Sequence, residues 1–200
     1  MCSSDLVKPN VLSPAPAPGR RSGRHLTFVG RLTEAKGVRT LLSAWRLLGR
    51  DDVTLKIVGD GALAPEVAAA ARSTSSIEWL GWQGTAEVRA LMAEALFIVV
   101  PAESFETFSM VVVEAYALGV PVVGTDFGAV GELILDDRTG VRHRFGDAAD
   151  LAAKIGDLLD DETRQARLAA GARAEFERRF TERQIYPRLL EIYDQSIAQR

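Results

Sequence analysis

The sequence predicts an α/β fold: a parallel sheet doubly wound, with helices on both faces. Two observations carry that expectation. From His25 onward, short β-branched runs alternate with segments of ten or more residues rich in Ala and Leu, the rhythm of strands joined by crossover helices. The run Leu96 to Val100 (LFIVV) is continuously apolar, as expected of a strand buried on both faces.

In chain order, the strands are expected at His25 to Gly30 (HLTFVG), Val53 to Gly59 (VTLKIVG), Ile77 to Gly81, Leu96 to Val100, Val120 to Gly124 (VPVVG) and Gly140 to His143. The intervening helices fall at Gly37 to Leu48, Leu63 to Ala71, Thr85 to Ala95, Ser109 to Leu118, Ala129 to Leu135 and Asp147 to Leu159. Ahead of them, Ser13 to Gly23 (SPAPAPGRRSG) is Pro-rich and polar, which favours an extended surface segment. Beyond Asp160 a helical tail is expected, Glu162 to Arg179 and then Glu182 to Arg200, with Thr181 and Gln184 spaced as a capping box. Pro187 lacks the N–H that an internal turn needs, so a kink or break is expected near Tyr186. Leu189, Ile192 and Tyr193 then form a stripe that needs cover. The chain thus divides into an extension and linker (1–24), a sheet domain (25–160) and a C-terminal helical tail (161–200).

Composition excludes several classes. Apolar residues make up 47% and charged residues 26% of the 200 positions, the balance of an ordinary globular protein. The net charge of −3 divides unevenly, because Lys8, Arg20, Arg21 and Arg24 outweigh Asp5 before His25. The remainder is acidic, which argues against a nucleic-acid partner. No run approaches the roughly 20 apolar residues of a membrane span, and Met1 to Lys8 lacks a signal-peptide core, so a cytoplasmic location is expected. Cys2 stands alone, and His25 and His143 have no ligand-like spacing, so neither a disulfide nor a zinc site is expected.

In an open parallel sheet, ligands bind beyond the carboxyl ends of the strands. The first such turn runs from Gly30 to Gly37 and lacks the GxGxxG of a dinucleotide site. It supplies Arg31 and Lys36 instead, a planar fork and a mobile point charge that suit a diphosphate; solvated loop cations are the other reading. The turn Gly59-Asp60-Gly61 reads by itself as a tight turn with Asp60 capping the following helix. The turn Pro101 to Ser109 ends in hydroxyl residues at a helix start, where free N–H groups and the helix dipole attract anions. Within that helix, Glu114 stands among Val111, Val112, Val113, Ala115 and Ala117. A carboxylate there needs hydrogen-bond partners, and two adjacent sugar hydroxyls would supply them; an exposed place on an amphipathic helix is the alternative.

These segments together resemble the C-terminal, nucleotide-sugar-binding domain of retaining GT-B glycosyltransferases, the glycosyl transferases group 1, whose fold is Rossmann-like. The resemblance runs over about residues 7 to 197. It is carried by VKPN (from Val7), FVGRLTEAKG, IVGDG, EWLGW, the pair Glu106 and Glu114 with seven residues between, and ALGVPVVGTDFGAVGELI. It implies that Arg31, Lys36 and Glu106 are the catalytic residues: the two cations hold the donor diphosphate and stabilise the leaving group without a metal or other cofactor. It further implies that Glu114 holds the ribose hydroxyls and that Leu80 to Trp82 lie against the base. Glu106 and the backbone of Thr107, Phe108, Ser109, Met110 and Val111 would contact sugar and phosphates. Gly30 and Gly59 complete the implied donor-binding set, for a UDP or GDP sugar. The implied reaction transfers a glycosyl group with retention.

Two positions depart from the family pattern: Thr107 and Ser109 stand where Gly is frequent, and Gly128-Ala129 where Gly-Gly is. Residues 1 to 6 match nothing in the family. The implied partner is an N-terminal acceptor domain, which the residues before Val7 are not expected to supply. Any membrane contact is expected through that domain. The competing readings are a module that binds a nucleotide sugar without transferring it and half of a sugar-nucleotide epimerase. A dinucleotide oxidoreductase is disfavoured by the missing GxGxxG, and a phospho-receiver by the lack of paired acids after the first strand.

Overall fold

A computed structural model describes residues 12, 15–20, 22–187 and 190. The six expected strands all form: β1 (His25–Val29), β2 (Thr54–Val58), β3 (Ile77–Gly81), β4 (Phe97–Val100), β5 (Val122–Thr125) and β6 (Gly140–His143). They make one parallel sheet in the order β3-β2-β1-β4-β5-β6. The chain builds outward from β1 to β3, then returns to β4 on the other side of β1. The β1/β4 junction is therefore the point where strand order reverses and a crevice opens at the carboxyl ends.

Helices α1 (Val38–Leu48), α2 (Ala64–Ser73), α3 (Thr85–Glu94), α4 (Met110–Ala117), α5 (Gly128–Leu133), α6 (Ala148–Leu159) and α7 (Glu162–Arg179) cover both faces. Period-two alternation decides which face each strand residue feeds. Leu26, Phe28, Leu55, Ile57, Phe97 and Val99 join Leu41 and Trp45 of α1 and Ile155 and Leu158 of α6 in one core. Ile98 and Val122 join Met92 of α3, Val112 and Tyr116 of α4, and Ala172 and Phe176 of α7 in the other.

The differences from the sequence expectation lie at element ends. A short 3-10 turn, Glu34–Lys36, precedes α1 and closes on Gly37 in the left-handed conformation (φ 68°). The helix after β5 stops at Leu133, two residues early, because the Leu135 N–H is drawn to Thr139 Oγ1 at 3.0 Å. The described part of the Pro-rich segment lies against the domain: the Gly19 N–H donates to Leu118 O at 2.7 Å, and Arg173 Nη1 to Pro16 O at 3.1 Å. Residues 182–187 are helical and run through Tyr186. The stripe residues Leu189, Ile192 and Tyr193 lie outside the described residues.

Candidate functional site

Three strand-to-helix turns meet over the carboxyl ends of β2, β1 and β4. The first is tied to the second by backbone bonds: Gly30 N–H to Val58 O (3.0 Å), Leu32 N–H to Asp60 O (2.8 Å) and Leu63 N–H to Leu32 O (2.8 Å). Gly59 makes that contact possible, since a Cβ built there would lie 1.9 Å from the Gly30 carbonyl oxygen. Asp60 does not cap α2 as its position suggested. Its Oδ1 accepts from the neighbouring Gly61 N–H at 2.7 Å, and α2 starts behind Leu63 without a side-chain cap.

The first turn is tied equally closely to the turn after β4. The Glu103 N–H donates to Ala35 O at 2.9 Å, Ser104 Oγ donates to the same carbonyl at 3.2 Å, and Thr40 Oγ1 donates to the Glu103 carboxylate. A Cβ on Gly37 would stand 1.9 Å from Pro101 O. Across this seam Lys36 Nζ donates to Glu106 Oε1, with side-chain exposures of 29% and 13%. Lys36 and Glu106, 70 residues apart in sequence, thus form one ion pair at the switch point.

Arg31 lies on the same turn but is exposed, and its side chain makes no ion pair among the described residues. Helix α4 begins behind Ser109 with no side-chain cap, although Thr107 and Ser109 are at hand. Its first N–H groups therefore face the crevice with the positive end of the helix dipole. Ser109 itself is only 4% exposed, and the Phe108 ring turns away to meet Phe180 edge-on at 6.3 Å. Of these three side chains only Thr107 is exposed.

Glu114 sits on the next turn of α4, about 6 Å of helix rise from Met110. It is half-buried beside a cavity of about 240 Å³ between α3 and α4, whose lining includes Leu12, Trp82, Arg89, Met92 and Leu118. No hydrogen bond to its carboxylate occurs among the described residues, and burial pushes its pKa above the ordinary value, with Arg89 pulling the other way. A carboxylate placed this way is an unfilled acceptor. Trp82, 78% exposed at the mouth, presents a flat apolar face.

Sequence reasoning missed Arg89. The signal was available: Thr85, Val88, Arg89 and Met92 share one face of α3 at helical spacing, and all four line the cavity. An arginine on an otherwise inward stripe marks a place where a charge is wanted. Among the described residues, no cluster of three or more His, Cys, Asp or Glu side chains is placed to hold a metal ion, and no helix is long and apolar enough to cross a membrane.

The family model for glycosyl transferases group 1 matches residues 23–161. The chain belongs to that family. An uncharacterized glycosyltransferase of Methanocaldococcus jannaschii is 33% identical over 156 residues, covering 77% of this chain and 43% of that protein. Among solved structures, Anabaena HepE in complex with UDP superposes with a TM-score of 0.76 at 24% identity, over 88% of this chain and 49% of that one. The C-terminal domain of a group 1 glycosyl transferase, LpcC, from Francisella tularensis superposes at 0.70 with 20% identity, over 82% of this chain and 88% of that domain. The fold is that of a GT-B C-terminal domain, and the chain spans less than half the length of the first two relatives.

Proposed function

We propose that the chain is the donor half of a retaining glycosyltransferase and binds a nucleoside-diphosphate sugar at the β1/β4 crevice. The observation that carries this reading is the Lys36–Glu106 pair beneath the uncapped start of α4. A cation, open N–H groups and a carboxylate converge there, a chemistry that suits a diphosphate joined to a sugar. Glu114 then accepts from the ribose hydroxyls one helical turn away, and Trp82 lies against the base. UDP in the HepE structure supports a uridine donor.

In the reaction, the bond from the anomeric carbon to the diphosphate oxygen breaks and a bond to an acceptor hydroxyl oxygen forms on the same face. The acceptor proton passes to the departing diphosphate. Lys36 and Arg31 stabilise the charge that grows on the leaving oxygen, so no metal is required. Turnover needs an acceptor-binding half of the kind the longer relatives have room for.

The test is a thermal-shift panel of UDP, GDP, ADP and their sugar conjugates on the chain and on Lys36→Ala. A ligand at about 100 times its dissociation constant adds roughly 2.7 kcal/mol. One base should stabilise the chain, and the shift should vanish in the variant. Equal shifts in both proteins, or none from any nucleotide in a folded chain, would remove the assignment.

A further inference from the structure

A row of three aromatic rings, exposed at both ends and half-buried at Phe127 in the middle, crosses the ends of three adjacent strands. Phe105 follows β4, Phe127 follows β5 and Phe145 follows β6. Their centroids are 4.4 Å and 4.7 Å apart, with planes inclined by 56° and 60°. Phe105 is 84% and Phe145 47% exposed, and none of the three belongs to either core. The row starts at the crevice, because Phe105 immediately precedes Glu106.

Its far end adjoins a polar basin of about 530 Å³ lined by Asp126, Asp136, Asp150, Arg142, Arg144 and Lys154. The two features are one unit: the Phe145 N–H donates to Asp126 Oδ1 at 3.0 Å. His143, 1% exposed, also lines the basin. Among the described residues its Nε2 has no hydrogen-bond partner, nor has Oγ1 of Thr125, the residue paired with it across β5 and β6.

The three acids and three bases of the basin cancel, so it selects neither an anion nor a cation. It offers fixed acceptors and donors beside apolar ring faces. That pairing matches a molecule with a C–H face and a rim of hydroxyls. An anionic membrane surface would want an excess of Lys and Arg, which is absent from the described basin.

We propose that Phe105, Phe127 and Phe145 with this basin form a carbohydrate site for a neutral oligosaccharide. Resting on the donor reading above, the site holds the acceptor chain, leading from the crevice to the β6 edge. The acceptor is then a neutral glycan bound partly by this half of the enzyme.

The experiment is an amide chemical-shift titration of the labelled chain with maltohexaose and with an α-linked mannohexaose, repeated on Phe145→Leu. Leucine keeps the apolar bulk and removes the ring face. One of the two sugars should shift the amides of Phe105, Phe127, Arg144 and Phe145, and the variant should bind it about tenfold more weakly. No response to either sugar, or equal affinity in the variant, overturns the proposal. So does sedimentation with phosphatidylcholine vesicles that the variant retains, which would make the row an apolar contact face. UDP binding in the same samples separates the two readings. Intact UDP binding without a sugar response overturns this site alone, whereas a sugar response without UDP binding supports the site and overturns the donor assignment.

Discussion

Glu106 and Glu114 flank one helix start, yet the regions around them are built on opposite terms. Glu106 is neutralised from within by Lys36, and its turn is fastened to the neighbouring turn by Glu103, Ser104 and Thr40. Glu114 is half-buried beside its cavity with no hydrogen bond among the described residues, and its ionised form is disfavoured there. The crevice therefore contributes to the stability of the empty protein, while the cavity subtracts from it. A ligand must compete with an existing ion pair in the first region and relieves an existing penalty in the second.

The largest expected effect comes from unfastening the crevice. In Gly37→Ala, the new Cβ would meet Pro101 O at 1.9 Å on a residue with φ 68°. The turns after β1 and β4 have to separate, and chemical denaturation should show a loss of about 3 kcal/mol or more. Nucleotide binding should fall with it, since Lys36 and Glu106 part company. A variant as stable as the parent would show that the seam is loose and that the contrast with the cavity is overdrawn.

Next in size is a difference of sign between the two carboxylates. Glu106→Gln removes one member of a mostly buried pair and should destabilise by about 1 kcal/mol. Glu114→Gln should do the reverse near neutrality. Its folded-state pKa is raised above 4.5 by burial, so the folded protein is favoured while the group is protonated and loses that favour as pH rises through the folded value. The stabilisation by Gln should therefore be present at pH 7, fade as pH falls through the folded value and be gone below the unfolded value. Melting temperatures from pH 4 to 8 measure both. Two variants that move stability in the same direction at pH 7 would break the comparison. In the same protein, ribonucleotides should lose more affinity than their deoxyribose counterparts.

How much of this could be read from the residues follows the same division. The strands were legible because runs such as LFIVV are buried on both faces and need no context. The pair Glu106 and Glu114 was legible as spacing. That Glu106 would find Lys36 was not, because an ion pair between residues 70 apart depends on β4 returning beside β1. Arg89 escaped because its role lies in the space between two helices. Ends of elements were misjudged where a distant polar group intervened, as Thr139 does at Leu135.

The smallest effect separates a fixed cation from a free one. Arg31 is exposed and unpaired among the described residues, whereas Lys36 is held by Glu106. A cation in water near a diphosphate is worth about 0.5–1 kcal/mol and is screened by salt. Arg31→Ala should therefore weaken UDP about threefold at low ionic strength, and calorimetry near 1 M salt should find the difference gone. The loss in Lys36→Ala should persist at both salt concentrations, because that ammonium acts from inside the seam. If instead both variants lose equally and neither responds to salt, then Arg31 is drawn into the crevice by the ligand. The crevice would in that case be incomplete until the diphosphate arrives, as the Glu114 cavity already is.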